Sequence, residues 1–240
     1  MSVSAPAPAP DPRSRFRRLL AEERCWDAEV QRVFEAKGEP LQDCILQDRE
    51  ELIALCEFMQ AHRVRSYLEI GLWTGRLLSV LDRLFELEPL AGCDHGWAAE
   101  LGLPIRVPPR ARVFWGDSES PAYRLWREQL GPIDLVLIDA NHSYRGVRRD
   151  FEINRAFPHR FLAFHDITGA SRQTAGVGRF WRELREGHKL ELVRPELDAG
   201  GRGSPMGIGI WSQEPLGSSR SEDESVTSSE KGGWSPCRER

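Results

Sequence analysis

The sequence lacks any long apolar segment. Its mean hydropathy is −0.48, and no apolar run approaches the roughly 20 residues that a membrane span needs. The first residues, MSVSAPAPAPDPRSRFRR, contain no apolar stretch ahead of a cleavage site, so we predict no secretory signal. These two absences exclude the membrane class and argue against export.

The chain also lacks an excess of either charge and any paired cysteine motif. It has 33 basic and 37 acidic residues, for a net charge of −4, which argues against a dedicated nucleic-acid binder. The five cysteines are odd in number, and none forms a CxxC. We interpret them as reduced thiols, and so we predict a cytoplasmic protein.

Composition divides the chain into four parts. Residues 1–13 alternate Pro with Ala or Asp, and residues 214–240 are rich in Ser, Glu and Gly, so both ends are predicted to be disordered. Residues 14–46 are predicted to be a helical extension whose apolar stripe could cover a site, mediate a homodimer or pack on its own domain. Residues 47–213 are predicted to form one domain, beginning with a helix over 47–62 that Asp48 caps.

From residue 66 onward, short apolar runs alternate with helical stretches. The runs are SYLEIG, PLAGCD, ARVFWG, IDLVLID and FLAFHD, and the helical stretches include residues 76–87, 121–130 and 143–156. Short apolar strands separated by helices predict a doubly wound α/β fold with a mostly parallel sheet that is covered on both faces.

An acidic residue stands at or just beyond the end of each of these strands. The five are Glu69, Asp94, Asp117, Asp139 and Asp166. In a parallel sheet the carboxyl ends of all strands share one edge, where ligands bind at the point at which the strand order reverses. Any one acid could simply cap a helix, but five on one edge predict a binding site.

The first strand turn, YLEIGLWTGRLL, has glycines at 71 and 75. It is neither a Gly-x-Gly-x-x-Gly fingerprint nor a P-loop, so a purely structural turn is an open alternative. Glu69 lies inside the strand, where a buried carboxylate needs a partner: either the cationic amine of a ligand or the N–H groups of the turn. Asp94 is placed to accept hydrogen bonds from ribose hydroxyls. Asp117 and Ser118 are placed to contact a base, on which Trp97 or Trp115 could stack.

The stretch IDLVLIDANHSYRGVRRDF, residues 133–151, ends an apolar strand in a dense polar cluster. Together with LEIGLWTG, GCD, GDSES, LAFHDI, VGRFW and MGIGIW in this order, it resembles class I S-adenosylmethionine (SAM)-dependent methyltransferases. The most similar branch contains the cephalosporin-hydroxylase-like and the sugar or small-molecule O-methyltransferases. The resemblance covers roughly residues 41–212.

The resemblance implies a Rossmann-like, seven-stranded sheet whose last strand is antiparallel, with KLELVRP and MGIGIW as the closing hairpin. It also implies roles for the strand-end residues. Glu69 and the turn Gly71, Leu72, Trp73, Thr74 and Gly75 would hold the methionine part of SAM, Asp94 the ribose, and Asp117 and Ser118 the adenine, with Asp139 beside the methyl group. The sequence departs from the family pattern at bulky Trp73 and at FPHRF, where many relatives have Pro-Gly-Gly.

Transfer of a methyl group to oxygen needs an aligned hydroxyl that is at least partly deprotonated. In one route, His142 or His165 acts as the general base, with Asp139 beside them in the catalytic set. In the other, Asp139 and Asp166 hold Mg²⁺ or another divalent cation that lowers the pKa of the hydroxyl, and His165, or alternatively Asn141, completes the ligand set. The histidines could instead have purely structural roles, as a helix-cap contact or a buried imidazole.

Residues 167–178 are predicted to form a mobile loop that closes over the acceptor, with an ordinary loop-to-helix join as the alternative. The preferred function is SAM-dependent methylation of a hydroxyl on a small molecule such as a sugar or secondary metabolite, and no nucleic-acid or membrane partner is expected. An NAD(P)-dependent oxidoreductase and a non-catalytic binding protein of the same fold are the alternatives.

Overall fold

The structure is a computed structural model that describes residues 12–26, 36, 43–169, 171–194 and 205–216. Its helices are α1 (Pro12–Leu20), α2 (Arg49–Ala61), α3 (Arg76–Leu84), α4 (Trp97–Glu100), α5 (Pro121–Gln129), α6 (Tyr144–Asn154) and α7 (Ala175–Glu183). Its strands are β1 (Cys25–Trp26), β2 (Ile45–Asp48), β3 (Tyr67–Ile70), β4 (Leu90–Asp94), β5 (Arg112–Trp115), β6 (Ile133–Ile138), β7 (His159–His165), β8 (His188–Leu192) and β9 (Ile208–Ser212).

Strands β3–β9 form one seven-stranded sheet in the order β5-β4-β3-β6-β7-β9-β8. Neighbours from β5 to β7 are parallel, whereas β9 runs antiparallel to both β7 and β8. The strand order reverses between β3 and β6, because the chain builds outward from β3 to β5 and then returns to add β6 on the other side. The predicted doubly wound fold with an antiparallel last strand is confirmed.

The sheet is covered on both faces, as the apolar strands predict. One core cluster joins α1, α2 and α3 to the sheet through residues such as Phe16, Leu52 and Leu78, and the other joins α5, α6 and α7 through residues such as Tyr123 and Phe151. Burial of these side chains on both faces is the main term that stabilises the fold.

The N-terminal segment differs in part from the predicted helical extension over 14–46. Helix α1 begins at Pro12, inside the range predicted to be disordered, and ends at Leu20, and the chain then forms β1. Strand β1 pairs in parallel with β2, so residues 45 and 46 are extended rather than helical. Phe16 and Leu20 of α1 are fully buried in the domain core, whereas Leu19 is exposed, so the buried face of α1 packs on its own domain.

The helix predicted over 47–62 begins two residues later, at Arg49. As predicted, Asp48 is its N-cap and accepts hydrogen bonds from the backbone N–H groups of Glu50 and Glu51. Gln47 and Asp48 are therefore the last residues of β2. The Glu51 carboxylate is buried and accepts instead from the backbone N–H groups of Arg194 (3.3 Å) and Gly207 (2.8 Å).

Several predictions fall outside the described residues: most of the first 13 residues, much of 27–42, the tip of the β8–β9 hairpin at 195–204, and residues 217–240. The division of the chain into domains therefore stays a prediction. Within the part that the structure describes, no helix has both the length and the apolar character needed to cross a bilayer.

Candidate functional site

A cavity of about 1000 Å³ lies at the carboxyl edge of the sheet, where the strand order reverses. The strand-end acids Glu69, Asp94, Asp117, Asp139 and Asp166 all line it. The structure thus brings together the acids that the sequence places at successive strand ends. The other predicted site residues that line the cavity are Gly71, Leu72, Trp73, Thr74, Ser118, His142 and His165. Gly75 is not part of the lining but lies directly beside it.

The first strand turn passes close to the end of β6. Gly71 has a φ of +93°, and a Cβ atom placed on it would lie 2.1 Å from the backbone oxygen of Asp139. Only glycine fits this position, because both the positive φ and the lack of space exclude a side chain. The hydroxyl of Thr74 is buried and, among the described residues, has no hydrogen-bond partner.

Asp94, at the end of β4, organises that turn. Its carboxylate accepts hydrogen bonds from the backbone N–H groups of Leu72 (2.8 Å), Trp73 (3.1 Å) and Gly96 (2.6 Å). Trp73 has a positive φ of 53°, and its ring meets Trp97 edge to face at 5.4 Å. The bulky Trp73 is therefore accommodated at the wall of the cavity, with its backbone held by Asp94.

Glu69 lies in the middle of β3 and is 2% exposed. The hydroxyl of Tyr67 donates a long hydrogen bond of 3.4 Å to it. Burial, and next the nearby charges of Asp139 and Asp94, raise the pKa of Glu69 well above its usual range. In the turn, the N–H groups of Leu72 and Trp73 donate to Asp94 rather than to Glu69, so a ligand cation remains the partner that would favour the ionised form of Glu69.

The far end of the cavity contains a contact that the sequence does not predict. Ser118 donates a hydrogen bond of 2.6 Å to Asp150 of α6. Burial raises the pKa of Asp150 to about 6, although the bond from Ser118 opposes this shift. Asp117, which precedes Ser118, is exposed, and its carboxylate accepts a hydrogen bond from the backbone N–H of Glu119. Asp150 falls on the buried face of a helix and has no strand-end signature, so no motif marks it.

Two aspartates and two histidines meet at the ends of β6 and β7. His142 Nε2 and His165 Nδ1 each lie 3.2 Å from the same oxygen, Oδ1, of Asp139. Each of these nitrogens also lies 3.6 Å from Oδ2 of Asp166. The two histidines therefore share one pair of carboxylates and form a compact four-residue cluster.

Charge pairing decides the ionisation in this cluster. Burial disfavours the charged form of Asp139, but His165 and His142 together lower its pKa below the usual range. Burial likewise disfavours an imidazolium, yet the two carboxylates raise the pKa of both His142 and His165. Burial raises the pKa of Asp166. The pKa of His165 rises to about 10, so this ring is protonated near neutral pH and is a poor general base.

The backbone at Asp166 is strained. Asp166 has a φ of +62°, a conformation that costs a non-glycine residue of the order of 1 kcal/mol. With this backbone conformation the chain does not leave β7 in an extended form, and the Asp166 carboxylate lies close to Asp139 and His142. Strained residues of this kind cluster at functional sites.

The cluster contains a group that could hold a cation. One ligand atom each from Asp139, His142 and Asp166 lie within 4.8 Å of one another, a spacing that allows one ion to contact all three. Carboxylate oxygen and imidazole nitrogen suit Mg²⁺ or Mn²⁺. The predicted set had His165 in place of His142. His165 is 2% exposed, whereas His142 is partly open to the cavity, so the geometry favours His142 as the nitrogen ligand.

Gln47 is a further residue that the sequence does not single out. It extends from β2, is 4% exposed, and its Nε2 donates a hydrogen bond of 2.5 Å to Oδ2 of Asp139. It lines the cavity with its neighbours Ile45 and Leu46. Ile45 and Leu46, at the end of the predicted N-terminal extension, therefore form part of the cavity wall together with Gln47.

The predicted loop at 167–178 is shorter than expected. Helix α7 begins at Ala175 and includes Gly176 and Gly178. A Cβ on Gly176 would lie 2.4 Å from the backbone oxygen of His142, so glycine here allows the helix to approach the cluster closely. Thr168 is tied to the backbone of Pro205 and Met206. Loop residues 171–174 line the cavity.

Comparison with known proteins supports a methyltransferase. Residues 68–167 match a family model described as a methyltransferase domain. The comparison with curated proteins finds none that is similar in sequence.

Three solved structures share the fold. The first is the O-methyltransferase TomG from Streptomyces achromogenes, involved in tomaymycin synthesis, in complex with SAM (TM-score 0.53, 16% identity, 84% of this chain and 96% of that chain). The second is an O-methyltransferase from Bacillus cereus in complex with SAH (0.51, 16%, 82% and 96%). The third is cofactor-bound Rv0187 from MTB (0.52, 17%, 86% and 100%). At such low identity these structures establish the fold alone.

Proposed function

We propose that this chain, which carries a class I SAM-dependent methyltransferase domain, transfers the methyl group of SAM to a hydroxyl of a small molecule. The observation that carries the proposal is the convergence of five strand-end acids on one cavity at the point where the strand order reverses. A cavity of about 1000 Å³ has room for a nucleoside cofactor with an acceptor beside it.

One half of the cavity suits the cofactor. Asp94 can accept from ribose hydroxyls in addition to its backbone donors, because each carboxylate oxygen has two lone pairs. Buried Glu69 would gain a charge partner from the amino group of SAM. The Thr74 hydroxyl, which has no partner among the described residues, could donate to the carboxylate of SAM. Asp117 and Ser118 lie at the far end, where the adenine would reach, and Trp97 offers an exposed ring.

The other half suits the acceptor. A divalent cation would be held by Asp139, His142 and Asp166, and when bound it would lower the pKa of the acceptor hydroxyl and orient it. His165, buried below the carboxylates, keeps Oδ1 of Asp139 turned toward this position. The glycine turn would hold the cofactor against the backbone of Asp139, and the methyl group would then lie beside the cluster.

The carboxylates around His165 argue against that histidine as the general base. Asp139 and Asp166 raise the pKa of His165 to about 10, so its ring is protonated near neutral pH, and a protonated imidazole cannot accept the hydroxyl proton. A cation held by Asp139, His142 and Asp166 would need the neutral form of the His142 ring and would occupy its nitrogen lone pair, so His142 would then be a ligand rather than a base.

The acceptor is proposed to be a small molecule, in keeping with TomG, which is involved in tomaymycin synthesis. Four cysteines of the described part, Cys25, Cys44, Cys56 and Cys93, are buried and free, which supports a reducing, cytoplasmic location. A homodimer through the N-terminal helices stays a prediction; light scattering on the purified protein tests it.

Two experiments test the proposed function: binding of the cofactor and the metal, and transfer of the methyl group to an acceptor. Calorimetry should detect binding of SAM and of its demethylated product SAH, and Mn²⁺ should bind with an affinity that His142→Ala weakens by roughly 100-fold. The purified enzyme should transfer a labelled methyl group from SAM to members of a panel of hydroxylated small molecules. Failure to bind either SAM or SAH would overturn the methyltransferase assignment, and binding without Mn²⁺ affinity would overturn the metal role alone.

A further inference from the structure

We infer that Gln47 is a positioning residue for the acceptor half of the site, since it holds Asp139 in the orientation that faces both histidines. The inference rests on the proposed function and adds to it a residue of β2, 92 positions away from Asp139 in sequence. It makes the small β1–β2 sheet part of the reaction site rather than a neighbouring support.

The contact between Gln47 and Asp139 is short and buried. The amide donates at 2.5 Å to Oδ2, while Oδ1 lies 3.2 Å from a ring nitrogen of each histidine. The two oxygens of Asp139 therefore have different partners. A rotation of the carboxylate out of its present plane would move an oxygen away from the Gln47 amide and would cost that bond. A hydrogen bond to a charged group contributes more than one between neutral groups.

Gln47 is itself held from both sides. The burial of β2 alternates, with Ile45 and Gln47 inward, and the next residue, Asp48, caps α2 and lies 2.7 Å from Arg194 Nε. One turn later, Glu51 binds the backbone at Arg194 and Gly207. These contacts fix the junction of β2 and α2 against β8 and β9, so the Gln47 amide approaches Asp139 from a fixed position.

The consequence is that Asp139 presents one defined oxygen to the cluster. With Oδ2 held by Gln47, Oδ1 is the oxygen that faces His142, His165 and Asp166. Partners that orient a ligating carboxylate in this way typically change metal affinity by 10- to 100-fold when they are removed. Gln47 therefore affects the site through Asp139, without contacting the cation or acceptor itself.

The test is Gln47→Met, which keeps the length of the side chain but removes the donor. Binding of Mn²⁺, followed by loss of its free-ion EPR signal, should weaken by roughly 10-fold or more, whereas SAH affinity should stay within about twofold. Gln60→Met, the same change at the exposed end of α2, should leave both unchanged. In the metal-free protein, long-range ¹H–¹⁵N spectra of His142 and His165 should shift in Gln47→Met but not in Gln60→Met.

If Gln47→Met does not fold, Gln47→Asn serves instead, because it keeps an amide but withdraws it from Asp139. Unchanged Mn²⁺ affinity and unchanged imidazole signals in a folded Gln47 variant would overturn the inference. If the unaltered protein bound no Mn²⁺, the proposed metal role would fail, and the imidazole spectra would still decide whether Gln47 orients Asp139.

Discussion

The Ser118 hydroxyl donates a hydrogen bond of 2.6 Å to Asp150, which lies on the inner face of α6 at the far end of the cavity. Asp150 is 2% exposed, and Asp117 and Glu119 nearby add negative charge. A single hydroxyl donor does not offset the loss of water around this carboxylate, which explains the rise of its pKa to about 6.

This raised pKa predicts a pH-dependent gain in stability for Asp150→Asn. The folded protein holds the proton more tightly than the unfolded chain does, so stability is lost as pH rises from about 4 through about 6. Asparagine carries no charge and avoids this loss. We expect Asp150→Asn to be more stable by about 2–3 kcal/mol at pH 8 and by roughly half as much at pH 5.

Urea denaturation at the two pH values measures the effect. Asp117→Asn is the matched control, because Asp117 is exposed and its loop contact with Glu119 needs only one oxygen. An equal gain at both pH values would contradict the explanation by burial.

A second prediction concerns the glycine turn. Gly71→Ala should lower the free energy of unfolding by about 3 kcal/mol and abolish SAH binding, because its Cβ would overlap the backbone of Asp139 and its φ is positive. Gly131→Ala is the control, since Gly131 also has a positive φ but has nothing within 4 Å of its Cβ position. That variant should lose about 1 kcal/mol and bind SAH normally. Similar losses in both variants would show that the close approach at Gly71 is unimportant.

A third prediction concerns Asp94. Asp94→Ala removes the acceptor of three backbone N–H groups in and next to the turn, and with it the proposed ribose contact. Calorimetry should show a loss of SAH affinity of roughly 10- to 100-fold, the range expected for a hydrogen bond to a charged group. Glu100→Ala, an exposed acid on the neighbouring helix α4, should bind SAH like the unaltered protein. Retained affinity in Asp94→Ala would exclude a ribose contact.

A fourth prediction separates the effect of backbone strain at Asp166 from the effect of losing its carboxylate. Asp166→Ala and Asp166→Gly both remove the carboxylate, so both should lose Mn²⁺ binding and methyl transfer while they keep SAH binding. Glycine relieves the positive φ of 62° and alanine does not, so the glycine variant should be more stable than the alanine variant by about 1 kcal/mol. Thermal unfolding of the pair at one pH makes the comparison. Equal stability would mean that Asp166 is not strained.

Much of the fold follows from local pattern. The strands β3–β7 were predicted within about two residues at each end, because short apolar runs bounded by helices permit few other arrangements. The acids at their ends, Asp94, Asp139 and Asp166, could be placed on one edge for the same reason. The least accurate predictions concern residues 14–48. Helical and extended patterns are both short there, and Asp48 was the main signal for the start of α2.

The partners of the site residues could not be predicted in this way. Gln47 has an ordinary sequence context, and Asp150 lies within a helical pattern typical of a packed surface. That His142 and His165 share the same two carboxylates depends on the angle at which the chain leaves β7, and so on the strained backbone of Asp166.

The strand ends that carry acids, and the order in which strands and helices follow, can be read from the amino-acid sequence, because hydrophobic periodicity and turn residues act over a few neighbouring positions. The contacts of Gln47 with Asp139, of Ser118 with Asp150 and of His142 with Asp166 exist only in the folded molecule. Such contacts join residues that are far apart in the chain or depend on the exact exit of a strand. They arise only after the order and twist of the sheet have brought the elements together.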